Sequence, residues 1–135
     1  MRMFRIQIPH IVFGVASLLL AQGPAFAEIN DDDVDYAGLA ERLYADGHLL
    51  RAEQALRRVN VDEKESDKRA FHLISGLIAL QRKSYAMAVT SLTKAIEQGE
   101  SRTLAHLGLA QAHFHQESFQ SALNALRRTK PSYGG

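Results

Sequence analysis

At 135 residues the chain has room for one modest domain, and 16 Lys+Arg against 15 Asp+Glu leave a formal net charge of +1. Both signs are interspersed and no basic stripe occurs, which excludes long-range attraction to nucleic acid or to anionic lipid. Cysteine is absent, which removes disulfides, a thiol nucleophile, thiolate metal ligands and the lipid-modified cysteine of a bacterial lipoprotein.

The first segment reads MRMFRIQIPHIVFGVASLLLAQGPAFAE. Arg2 and Arg5 form a short basic leader, Ile11 to Ala21 an apolar run of eleven, and Gly23-Pro24 breaks it before Ala25-Phe26-Ala27, an A-x-A cleavage signature. Eleven apolar residues fall short of the roughly 20 a spanning helix needs, so the expectation is a secretory signal peptide over residues 1–27, cleaved after Ala27, and no stable membrane span. The 108 residues from Glu28 then carry 14 basic and 15 acidic side chains, net −1. An unstapled helical domain behind such a leader points to a bacterial periplasmic or secreted protein.

After an acidic stretch over residues 28–32, apolar residues recur at spacings of three and four with almost no strand-like alternation. The run Asp31-Asp32-Asp33 with Asp35 lacks the spacing of a calcium loop and is expected to open the first helix, where negative charge complements the dipole.

Three segments then superpose without a gap, each of 24 residues: YAGLAERLYADGHLLRAEQALRRV from Tyr36, HLISGLIALQRKSYAMAVTSLTKA from His72 and HLGLAQAHFHQESFQSALNALRRT from His106. Small residues coincide at Ala40, Gly76 and Ala110, and twelve positions later at Ala52, Ala88 and Ala122. An apolar residue precedes the second small one by three (Leu49, Tyr85, Phe119), and a leucine follows it by four (Leu56, Leu92, Leu126). Such coincidences predict one unit, helix A, a tight turn and helix B, with small residues where the two backbones approach. Gly47 suits a left-handed turn, and Ser84 and Ser118 stand where they can cap helix B. NVDEKESDKR, Asn60 to Arg69, reads as a charged connector with a two-residue insertion.

Steps of 36 from Ala52 to Ala88 and 34 from Ala88 to Ala122, with the small residues and the turn, resemble the tetratricopeptide repeat. The resemblance spans about Asp33 to Lys130. It departs from the family pattern at His72 and His106, where a bulky aromatic is usual, at Ser75 for leucine, and at Ala79 and His113 for tyrosine. The related Sel1-like repeat, with a step near 36, is the minor alternative, although its extra turn glycines are missing here. The fold implied is all-α, a right-handed α-solenoid of three helix-turn-helix repeats at 33–68, 69–102 and 103–130, with a tail at 131–135.

The resemblance implies a concave groove formed by one stripe of each helix A and holding a protein or peptide. It places Glu41, Tyr44, Leu73, Leu77, Leu80, Gln81, Leu107, Gln111, Phe114 and His115 on that stripe. Leu73 and Leu77 also fit a second reading, as core of a central helix. The residues suit an apolar or amphipathic segment. Stacked repeats need a polar final face, so the expectation at the third repeat is self-association through Leu123 and its neighbours, or a longer parent sequence that covers them.

No nucleophile elbow, phosphate loop or HExxH motif occurs, so neither catalysis nor a cofactor is expected. His113 and His115 stand about 200° apart on a helix, and His106 and His113 about 10.5 Å apart along it. Only His113 with Glu117 could share a metal, and two ligands make a weak site. The expected function is an exported, non-catalytic adaptor for an envelope, secretion or polysaccharide-export assembly. The alternatives are the repeat-bearing N-terminal part of a larger exported protein and a histidine-based metal- or ligand-binding envelope protein.

Overall fold

A computed structural model describes residues 30–129; the expected leader, the cleavage position and the tail lie outside the described residues. The chain divides after Val34. In the first unit the acidic run forms a separate 3-10 turn, Asp31–Asp33, closed by the Asp33 N–H donating to the Asn30 carbonyl at 3.0 Å. The run is therefore not the first turn of the first α-helix, as the charge pattern suggested.

In the second unit six α-helices follow: α1 Tyr36–Ala45, α2 Leu49–Leu56, α3 Glu65–Gln81, α4 Tyr85–Glu97, α5 Thr103–His115 and α6 Phe119–Arg127. There is no strand among the described residues, and none of these helices is long and apolar enough to cross a membrane. Asp35 caps α1, its Oδ1 accepting the Gly38 N–H at 2.8 Å. Helix α3 begins at Glu65, inside the stretch expected to be a connector. Glu65 and Asp67 fall in its first turn, where carboxylates complement the amino-terminal end of the helix dipole.

The three short turns use one device. In each, a left-handed residue follows helix A: Gly47 at φ 81°, Lys83 at φ 61° and Glu117 at φ 59°. The next N–H reaches back five residues, from His48 to Leu43 O, Ser84 to Ala79 O and Ser118 to His113 O, at 2.8 to 2.9 Å. These are Schellman closures, which satisfy carbonyls left over at a helix end. All three fall at the twelfth position of the aligned segments, where only the first carries glycine. Ser84 and Ser118 stand at the caps of α4 and α6, but neither hydroxyl makes the expected capping hydrogen bond.

The helices pair as α1 with α2, α3 with α4 and α5 with α6. Helices α1, α3 and α5 also touch in succession, α4 packs broadly on α5, and α2 packs more sparsely on α3. All six small residues of the repeat, Ala40, Gly76, Ala110, Ala52, Ala88 and Ala122, are buried. Gly76 shows why: a Cβ there would stand 2.6 Å from Leu92 Cγ and 3.0 Å from Leu92 N. That approach sinks Leu92 completely, a burial worth about 1.5–3 kcal/mol. A Cβ on Gly108 would meet the same leucine, 3.1 Å from Leu92 Cδ1, so one side chain of α4 fills the recess between α3 and α5.

Candidate partner-binding face

The ten stripe residues divide into three groups. Leu73 and Leu77 are 1% and 2% exposed and belong to the central core. They do not line an open surface, because α3 is covered on several sides by α1, α4 and α5; the alternative reading as core describes them. Leu80 is half-buried, and its Cδ2 lies 3.5 Å from where a Cβ on Gly108 would be.

Glu41, Tyr44 and Gln81 form polar ties across neighbouring helices. Gln81 Nε2 donates to Tyr44 Oη at 3.1 Å, joining α3 to α1. Glu41 Oε1 accepts from Arg102 Nη2 at 2.9 Å, joining α1 to the loop before α5. Arg102 simultaneously grips Glu100: its backbone N–H and Nε donate to Oε1, and Nη2 to Oε2, each at 2.9 Å. Those hydrogen bonds hold the Glu100 carboxyl below the usual carboxylate range against the opposing effect of burial. Glu100 and then Glu41, in turn, hold the Arg102 guanidinium above its ordinary value, burial opposing. Sequence reasoning missed Glu100 and Arg102, which carry no repeat signature; only the fold brings Arg102 to Glu41, 61 residues away.

Leu107, Gln111, Phe114 and His115 remain, all exposed on α5. His115 stacks on Tyr85 of α4, with ring centroids 4.4 Å apart and planes 10° from parallel. Phe114 meets Phe119 of α6 edge to face at 5.5 Å. Leu104, three residues before Leu107, extends the stripe and was not among the expected residues, although its spacing could have shown it. Leu104, Leu107 and Phe114 are 49%, 47% and 60% exposed. The exposed apolar stripe is therefore shorter than the resemblance implied, running along one helix.

The histidines have packing roles. His106 is buried, and the Nδ1 atoms of His106 and His113 find no hydrogen-bond partner among the described residues. Helix α5 ends at His115 and Glu117 lies in the left-handed turn, so the shared helix face on which His113 and Glu117 were to meet a metal is not formed. Among the described residues no group of three or more His, Asp or Glu side chains could hold a metal ion.

Comparisons of the chain with protein-family models, with curated proteins and with solved structures find no match.

Proposed function

We propose that the chain is an exported, non-catalytic adaptor, a right-handed solenoid of three tetratricopeptide-like repeats. It holds an apolar or amphipathic protein segment against α5, within an envelope, secretion or polysaccharide-export assembly. One observation carries the reading: Leu104, Leu107 and Phe114 lie at helical spacing on one face of α5 and are about half exposed or more. An apolar stripe left in water on a packed helix marks an interaction surface, and spacings of three and seven are those on which helix-in-groove recognition runs. Gln111, exposed within the stripe, supplies a donor and an acceptor for a partner backbone.

A photo-crosslinking residue at Leu107 or Phe114, introduced in the native envelope, tests this. One partner captured at both positions, lost with Phe114→Glu, and not captured from Arg51 on exposed α2, is the expected result. Capture from Arg51 but from neither α5 position would sink the assignment.

Self-association is a second reading with its own observation. On α4, Tyr85, Val89 and Leu92 are at least half-buried; Tyr85 stacks on α5, and Leu92 fills the recess beneath Gly108. The equivalent residues on α6, Phe119, Leu123 and Leu126, are 55%, 48% and 42% exposed. A second copy of the chain or a following helix would cover them as α5 covers α4.

A further inference from the structure

A cleft of about 600 Å³ opens on the side of the molecule formed by α2, the start of α4 and the intervening edge of α3. Leu56, Val59, Phe71, Ile78 and Met87 supply its apolar lining. The aligned repeats explain why it exists. At the next interface, between α4 and α5, the equivalent positions carry Val89 and Leu109 in place of Glu53 and Ser75, both packed in the core, and a half-buried His113 in place of Ala79. The first interface holds smaller or charged groups at all three places, and α2 packs sparsely on α3 as a result.

Three charged side chains border the cleft, and their pairing decides its preference. Arg82 and Glu53 neutralise each other: Arg82 Nη2 donates to Glu53 Oε2 at 2.8 Å, and Nη1 lies 2.5 Å from Oε1. Arg57, exposed at the rim, has no carboxylate partner among the described residues. The lining thus combines an apolar floor with one uncompensated cation, in a volume within the range of about 300–1,000 Å³ that small-molecule sites occupy.

We infer that this cleft binds a single-chain anionic amphiphile, a medium- or long-chain carboxylate whose alkyl chain lies over Phe71, Ile78 and Met87 while its carboxylate pairs with Arg57. Guanidinium and carboxylate match as a two-pronged pair, and alkyl burial supplies the affinity. The inference is independent of the α5 stripe, which lies on other residues.

Dodecanoate below its micelle concentration, titrated into the protein and followed by NMR shifts of the Met87 methyl and the Phe71 ring, tests it. One-to-one saturation is expected, with binding at least tenfold tighter than that of dodecyltrimethylammonium. Arg57→Glu should reverse that preference. Ser75→Leu combined with Ala79→His, which installs the residues of the next interface, should abolish binding while helical circular dichroism is kept and Tm rises. No saturable shift, equal binding of the cationic amphiphile, or binding that survives the filled cleft would overturn the proposal. So would a dimer that the filled cleft dissociates and dodecanoate does not, since the occupant would then be a second copy of the chain.

Discussion

Leu92 Cγ lies 2.6 Å from the point where a Cβ on Gly76 would stand, and Leu92 N lies 3.0 Å from it. A glycine within a helix is disfavoured by about 1 kcal/mol relative to alanine, so Gly76→Ala would stabilise an isolated α3. In the folded chain the added methyl meets backbone that cannot rotate away, and overpacking of that kind costs about 1–3 kcal/mol. Gly76→Ala is expected to lower unfolding stability by about 1 kcal/mol in urea titrations; a stabilised variant would mean that α3 and α4 lie further apart.

The three left-handed turn residues form an internal set of controls. A Cβ on Gly47 would meet nothing within 4 Å, so only its φ of 81° penalises another residue, and left-handed backbone costs a non-glycine residue roughly 1–2 kcal/mol. Lys83→Gly and Glu117→Gly should each stabilise the protein by about 0.5–1 kcal/mol, after the greater freedom of glycine in the unfolded chain is counted. Gly47→Lys should destabilise it by a similar amount. Thermal unfolding of the three variants checks both signs, and a loss on introducing glycine would show that the lysine and glutamate side chains stabilise their turns.

Arg102 joins Glu100 to Glu41, and the Glu100 side chain is only 4% exposed. Arg102→Ala leaves that carboxylate buried with its main donors gone. Because the arginine is itself half exposed, solvent screens part of the effect, and a loss of about 1–3 kcal/mol at neutral pH is expected. The acid dependence follows from the depressed Glu100 carboxyl. The unfolded chain takes up its proton first, so the stabilisation is full above the ordinary carboxylate value of about 4.3 and is lost as pH falls through the lower folded value. Urea midpoints of wild type and Arg102→Ala should converge as the pH is lowered through that window.

His72 has the opposite chemistry and a different window. Burial first, then Lys94 and Lys68, hold its imidazole below the usual value. The unfolded chain therefore binds more protons just below about pH 6.5, and stability falls with acidification from there. His72→Phe, which installs the bulky aromatic usual in the resembled family, should flatten the slope of stability between about pH 7 and pH 5. An unchanged slope would place the responsible group elsewhere.

The exposed face of α6 bears on assembly. Sedimentation equilibrium should show concentration-dependent association that Leu123→Asp abolishes without loss of helix, since a charge there faces water in the monomer and apolar surface in an associated state. A monomer at all concentrations would leave the face to a following helix.

Much of the fold was legible in the sequence because its signals are local. The left-handed turn position depends on the spacing of a few neighbours, and the small residues at Ala40, Ala52, Gly76, Ala88, Ala110 and Ala122 record backbone approach within one hairpin. All-helical character followed from the same periodicity. The site was less legible because exposure is decided by elements distant in sequence. Leu73 and Leu107 hold the same place in their units, yet one is core and the other is wetted, since α3 has neighbours on sides that α5 leaves open. The helical start at Glu65 was hidden by a run of charges that reads equally as a loop. Glu100, Arg102 and the cleft beside α2 depend on contacts that no single repeat encodes.

Leu92 also bears on the order in which the molecule comes apart. Because one leucine fills recesses beneath both Gly76 and Gly108, withdrawing α5 exposes the same side chain as separating α3 from α4, and the second and third hairpins are bound to open together. The first hairpin is held instead by the Tyr44–Gln81 and Glu41–Arg102 ties from α1, while α2, beside the open cleft, is sparsely seated on α3. Native-state hydrogen exchange should therefore find two cooperative steps, with the amides of α2 released well before those of α3, α4 and α5. The coupling between successive hairpins is thus unequal, loose at the first junction and tight at the second.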